Sequence, residues 1–290
     1  VKVLVLGAGG MLGHQLWLQL GGRHEVLGTL RADHAGLRRK ESPTRLLRSG
    51  VDANREADLA ALMDELRPAV LLNAVGVIKQ LPAGRDPEAC LRLNSLLPHV
   101  LHRLSRERGI RLVHVSTDCV FSGARGGYRE SDPPDADDLY GRSKALGEVA
   151  GPGALTLRTS IIGHELKHRL SLLEWFLSQS GSVTGHAGVR WNGVTTVELA
   201  RVVEEHVLPR PDLDGLFQVA SRPLSKAELL RRVAAVYGLT TQVEDRREPV
   251  NDKTLDGSRF AAATGWHAPD WDEMLARLRD EWHRHADLYL

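Results

Sequence analysis

In the first 160 residues, apolar side chains gather in short, nearly continuous runs: Val1 to Leu6, interrupted only by Lys2, then Glu25 to Leu30, Ala69 to Leu72, Ile110 to Val115 and Ala154 to Leu157. Apolar runs of that length predict strands covered on both faces, as in a parallel sheet. Between them, apolar residues recur every three or four positions. Leu16, Trp17 and Leu20 mark one helix face, and Leu59, Leu62, Met63 and Leu66 mark another on a helix from Arg55 to Leu66 that Pro68 stops. Further amphipathic stretches predict helices over Pro87 to Gly109 and Tyr140 to Ala150. The alternation predicts a parallel sheet with right-handed crossovers. Arg38 to Ser49 reads as irregular and polar, and Gly123 to Asp138 as a loop rich in Gly, Pro and Asp.

Beyond Ile162 the rhythm changes. Helices are predicted over Leu166 to Ser180, Thr195 to Leu208 and Ser225 to Tyr237, with a short strand at Leu216 to Ala220. Ser225 and Glu228 have the spacing of a capping box. Trp266, Trp271 and Trp282 are expected to pack this part. The expected fold class is α/β: a Rossmann-type doubly wound parallel sheet with a smaller mixed α/β C-terminal lobe. Residues 1–160 would form the sheet domain, with 195–220 returning to it, and 161–194 with 221–290 would form the lobe.

The bulk numbers narrow the choice of partners. With 38 basic and 37 acidic residues the net charge is +1, too small a field to attract nucleic acid or anionic lipid at long range. Arg38-Arg39-Lys40 reads as a solvated loop. Cys90 and Cys119 can form neither a disulfide framework nor a four-ligand zinc site, which suits a reducing compartment. No apolar stretch reaches the ~20 residues needed to span a bilayer. The first residues enter a strand directly and leave no room for a signal peptide. These features predict a soluble cytoplasmic protein.

The first strand runs into Gly7, Gly10 and Gly13, around Met11 and Leu12, at the start of a helix. Glycine reaches the turn conformations cheaply and lets a diphosphate approach bare backbone, while the helix N-terminus offers unpaired N–H groups. That context predicts a bound dinucleotide. Arg31 ends the second strand, where the adenosine ribose would lie, and its guanidinium suits a 2′-phosphate. This favours NADP(H), with NAD(H) as the alternative. Asp52 either caps the next helix or sits near the adenine. Asn73, Ala74, Val75 and Gly76 end another strand with small residues against which a cofactor could lie.

Tyr140 and Lys144 stand one helical turn apart, on one face. The lysine ammonium is expected to lower the pKa of the phenol toward neutrality. Thr117, with Ser116 as the alternative, closes the preceding strand and would hold the substrate oxygen.

These stretches carry a family resemblance. Gly7 to Gly13, Asn73 to Gly76, Ser116-Thr117-Asp118-Cys119-Val120-Phe121, Tyr140-Gly-Arg-Ser-Lys144 and Asn192 to Ala200 together resemble the extended short-chain dehydrogenase/reductases, most of all their dTDP-4-dehydrorhamnose reductase-like branch. The resemblance implies NADPH-dependent reduction of a keto group on a nucleotide-activated deoxysugar, of use in polysaccharide biosynthesis. Tyr140 would be the general acid, Lys144 would tune it and hold the nicotinamide ribose, and Thr117 would bind the substrate oxygen. Asn94 would support the site or be a plain polar helix position. Lys79, Val120, Arg190, Trp191 and Asn192 are the substrate candidates, and a homodimer would form through the helices at 87–109 and 140–150. Cys119 stands where the family commonly has Tyr and reads as packing, not as a nucleophile. Two other readings stay open: an epimerase or dehydratase of the same superfamily, and a non-catalytic NADP-binding regulatory subunit. His164-Glu165-Leu166-Lys167-His168 also matches the zinc-protease pattern, but its position at the crossing into the lobe speaks against a metal, and none is expected.

Overall fold

The structure is a computed structural model and describes residues 1–167 and 169–289. Seven strands form its central sheet: β1 (Lys2–Leu6), β2 (Glu25–Thr29), β3 (Arg45–Arg48), β4 (Val70–Asn73), β5 (Arg111–Thr117), β6 (Ala154–Thr159) and β7 (Gly215–Gln218). Their order is β7-β6-β5-β4-β1-β2-β3, and every neighbouring pair is parallel. The chain reverses direction across the sheet between β1 and β4, which opens a crevice at the carboxyl ends of those strands. This is a doubly wound Rossmann-like α/β fold with smaller sheets attached.

Strand periodicity divides the core. Val3 and Val5 of β1 enter one cluster, under helix α1 (Met11–Leu20), while Leu4 and Leu6 enter the other, under the helix Glu56–Leu66. Each such fully buried side chain stabilises the fold by roughly 1.5–3 kcal/mol, so both helices are clamped and the turn between β1 and α1 has little freedom.

Strand β3 corrects the reading of Arg38 to Ser49 as irregular. Its sequence is short and charged at both ends, as edge strands tend to be, and only Leu47 is buried. Trp17 Nε1 donates to Leu46 O at 2.9 Å and fixes the edge to α1. The helix expected over Leu166 to Ser180 is confined to Leu172–Leu177. Glu165 is the cause: its carboxylate accepts from the backbone N–H groups of Leu170 and Ser171, and Ser171 then caps the helix.

The stretch from Pro87 to Glu107 is helical throughout, with a π-helical section at Leu91–Leu96. Helix α2 (Leu139–Leu146) is shorter than expected and ends at Gly147, where a Cβ would lie 1.9 Å from Asn94 O. In the C-terminal part, Ser182–His186 pairs with Gln242–Arg246, and Val189–Trp191 lies between Leu224–Ser225 and Asn251–Asp252. None of these short ladders was legible as alternation. Helix α3 (Lys226–Tyr237) carries the expected capping box. Trp266 and Trp271 are buried, and the Trp282 ring stacks on His164. No helix among the described residues is long and apolar enough to cross a membrane.

Candidate active site

The glycine turn lies at the point where the sheet reverses. Gly7 has φ +86°, and a Cβ there would meet Val75 Cγ2 at 3.0 Å. A Cβ on Gly13 would lie 2.0 Å from Gly7 O, so strand and helix approach as only glycine allows. Gly10 is the exposed N-cap of α1, and no side chain caps that helix. The N–H groups of Met11, Leu12 and Gly13 are therefore left for an anion. Asn73 is buried: its Oδ1 accepts from Val75 N, and its Nδ2 meets His114 Nδ1 at 3.1 Å. It shapes the Ala74–Val75 backbone and does not present its own amide. Arg31 is exposed just beyond β2. Asp52 does not cap the helix, which begins at Glu56 behind Arg55; its carboxylate instead accepts from Asn54 N and Nδ2. These residues fit a dinucleotide: a bare-backbone turn, an uncapped helix start, and small residues opposite.

Thr117 and Tyr140 meet at the end of β5. A Cβ on Gly141 would lie 2.2 Å from Cys119 O, so α2 presses directly on the turn after Thr117. Thr117 Oγ1 accepts from Cys119 N and donates to Asp118 Oδ1. Ser116 Oγ is engaged elsewhere, donating to Glu148 Oε1 at 2.7 Å, which leaves Thr117 as the hydroxyl facing Tyr140.

The expected tuning of the phenol by Lys144 is not what the structure has. Burial pushes the Tyr140 pKa upward; Cys119, Asp118 and Asp138 add to this, against the pull of the Thr117 hydrogen bond. Lys144 Nζ donates to Val115 O at 2.9 Å. Its own pKa is lowered to about 8 by burial, opposed by Glu148. The ammonium above the Tyr140 ring is that of Lys79, 5.6 Å from the ring centre and paired with Asp138 at 2.5 Å. The spacing of Tyr140 and Lys144 put them on one face, but where each long side chain ended was decided by tertiary partners.

Below the site lies a buried network the sequence did not reveal. Glu148 receives two hydrogen bonds from Arg158, at 2.8 and 2.6 Å, besides that of Ser116. The only local sign was a glutamate four residues after Lys144. Asn94 is fully buried; it accepts from Val77 N and donates to Val77 O and Ser143 Oγ, so it is a structural clamp and not a plain polar helix position. Cys119 has its pKa pushed up to about 11, by burial first and by the Asp118 charge second, and stays a thiol.

The remaining substrate candidates separate. Val120 is sealed with Phe121, Tyr128 and Leu255 in a third core cluster and offers no side-chain surface. Asn192 is buried and clasps Leu255, Nδ2 to O and Oδ1 from N, both at 2.8 Å. Trp191 is 2% exposed and packs on Trp271. Arg190 is exposed and loosely paired with Asp252. In the zinc-protease pattern, His168 lies outside the described residues. His164 has both nitrogens engaged, Nδ1 with Glu174 and Nε2 with Tyr237, and Glu165 holds backbone, as described above.

The profile of the RmlD substrate binding domain family matches residues 1–174, more than half of the sequence. The chain belongs to that family. Among curated relatives it is 34% identical over 166 residues to a probable dTDP-4,6-dihydroxy-2-methyloxan-3-one 4-ketoreductase of Streptomyces antibioticus, covering 55% of this chain and 51% of that protein. It thus spans about half the length of that relative. It is 24% identical over 306 residues to a dTDP-4-dehydrorhamnose reductase of Aggregatibacter actinomycetemcomitans, covering 96% and 98%. It is also 28% identical to methionine adenosyltransferase 2 subunit beta of Danio rerio, over 82% of this chain and 74% of that one. Among solved structures, a dTDP-4-dehydrorhamnose reductase of Bacillus anthracis in complex with NADP superposes with a TM-score of 0.77 at 19% identity, covering 97% and 99%. This RmlD-family chain therefore shares the fold of that solved reductase over nearly its whole length, and the family match covers the part that holds the glycine turn and Tyr140.

Proposed function

We propose that the protein is an NADPH-dependent reductase of a keto group on a nucleotide-activated deoxysugar. The observation that carries this reading is the meeting of Thr117 and Tyr140 at the end of β5, beside the glycine turn. Family membership and the names of the relatives support it. Gly7, Gly10, Met11, Leu12, Gly13, Ala74 and Val75 would hold the dinucleotide, and the exposed Arg31 favours the 2′-phosphate. When bound, NADPH supplies the hydride. Tyr140 is held protonated by its buried setting, the state a proton donor needs, and an alkoxide is a stronger base than a phenolate. Thr117 would turn its hydroxyl from Asp118 to the substrate oxygen and orient it toward that proton. Lys144, anchored on Val115 O, keeps donors for the ribose. Residues 161–194 and 221–290 serve as the substrate lobe of a cytoplasmic enzyme. Leu91, Leu96 and Leu146, each about half exposed or more, support a homodimer across their helices, a reading that a monomeric sedimentation profile would remove.

Replacing Tyr140 with Phe tests the central claim. NADPH oxidation on a panel of nucleotide keto-sugars should fall by ~10²–10⁴-fold in kcat, with cofactor affinity kept. Unchanged turnover would discard Tyr140 as the acid. The rival to be separated from it is a cofactor-binding regulatory subunit; one relative is named as subunit beta of a methionine adenosyltransferase. NADPH binding by the unmodified protein with no turnover on any keto-sugar would favour that rival.

A further inference from the structure

Near Asp118, at the turn that follows β5, the C-terminal part presents two ammonium groups that the chemistry above does not use. Lys226 opens α3, and its Nζ lies 3.8 Å from the centre of the Trp191 ring. Trp191 is fixed in turn against Trp271, so the ammonium rests on a rigid aromatic face. Lys253 follows the strand Asn251–Asp252. That strand is stitched to the chain leaving Cys119: Asn251 Nδ2 donates to Ser122 O and Asp252 N to Gly123 O. Two segments distant in sequence thereby bring two lysines to the end of β5.

Their partners set them apart from the other cations nearby. Lys79 is paired with Asp138, and Arg190 with Asp252. Lys226 and Lys253 have no hydrogen bond or ion pair from their ammonium groups among the described residues. Both act at longer range on one anion, the buried carboxylate of Asp118, which takes its hydrogen bond from Thr117. One carboxylate against two ammonium groups leaves a positive charge and up to six N–H donors unfilled. A poorly solvated ammonium without acceptors is costly, and a ligand that supplies them relieves the cost. Their chain segments flank Arg190 on either side, Ser225 and Asp252 both pairing with it, and two ammonium groups acting on one carboxylate call for an anion with two charges and several oxygens. The diphosphate bridge of a nucleotide sugar has both.

We propose that Lys226 and Lys253 form the anion subsite for the substrate's diphosphate, so that the sugar lies between them and Tyr140. The ligand's identity rests on the nucleotide-sugar reading above; the subsite itself rests on the geometry. It displaces Lys79 from the phosphate role, since Lys79 already has its carboxylate.

The test is calorimetric titration of the full chain with dTDP, UDP and inorganic pyrophosphate, and separately with NADPH, for the unmodified protein, K226M, K253M and the double variant. K226M and K253M should each weaken nucleoside diphosphate binding by at least ~10-fold. The double variant should lose most of the salt dependence, and K226R should recover part of the affinity. NADPH binding should stay within about twofold throughout. Equal diphosphate affinity in all variants, no diphosphate binding by the unmodified protein, or a parallel fall in NADPH affinity and thermal midpoint would each overturn the proposal; the last would mean that the lysines only neutralise Asp118. Diphosphate binding that depends on the lysines, without turnover of keto-sugars, would sink the reductase reading and leave the subsite standing. Turnover with KM unchanged in the variants would do the reverse.

Discussion

One proposed wall of the site carries a buried lysine, Lys144, and the other a half-buried one, Lys226, and the contrast between them shows how each is held. Burial lowers both Lys144 and Lys226 to a pKa of about 8. Lys144 is anchored: it donates to Val115 O, and Glu148, itself bound by Arg158 and Ser116, stands behind it. Lys226 rests on an aromatic face with no acceptor in contact among the described residues. On the proposed reading the sheet wall is set before any ligand arrives, whereas the lobe wall would be completed by one. Preset donors suit a cofactor common to many reactions, and open donors suit a substrate that must be told apart from others.

The comparison is most severely tested at Glu148. Arg158 is 1% exposed, so E148Q leaves a buried guanidinium with little compensation. Urea unfolding should show a loss of ~3–5 kcal/mol. A loss below ~1 kcal/mol, the scale of a surface pair, would mean that this network does not hold the sheet wall. G13A comes next. Its Cβ would overlap Gly7 O, so stability should fall by ~1–3 kcal/mol. NADPH affinity should drop severalfold or more in the same titrations, while dTDP binding stays. Equal losses for both ligands would break the division between the walls.

The smallest effect is a dependence on pH. For each lysine the folded value, about 8, lies below the ordinary 10.5. Between those values the unfolded chain holds more protons, so stability should rise with pH in that window, by up to ~1 kcal/mol per unit for each lysine. Below about pH 8 the destabilisation is present in full. K144M and K226M should each remove about half of the rise, read from urea unfolding at pH 8 and 9.5. Saturating dTDP should remove the Lys226 half alone, because the bound anion restores its charge. A slope unaffected by either substitution would show that neither lysine is held out of solvent as argued.

The sheet wall was largely legible in the sequence because its parts are local. The glycine spacing, the apolar runs and the two positions one helical turn apart all act within a few residues. Legibility failed where a side chain could choose among distant partners. Tyr140 and Lys144 share helix α2, yet Lys144 turned to a strand carbonyl and Lys79 came over the ring. Strand β3 escaped notice because an edge strand needs only one apolar residue to be held. Trp191 and Asn192 were candidates for substrate contact, but are buried against Trp271 and Leu255.

By itself the sequence determined the doubly wound sheet, its glycine turn and the presence of a phenol at the end of β5, since hydrophobic period and backbone sterics are properties of neighbouring residues. Which hydroxyl faces that phenol, which ammonium lies over it, and which lysines come near Asp118 were decided only by tertiary contacts. Those outcomes depend on burial and on partners tens to hundreds of residues away, and no local pattern records them.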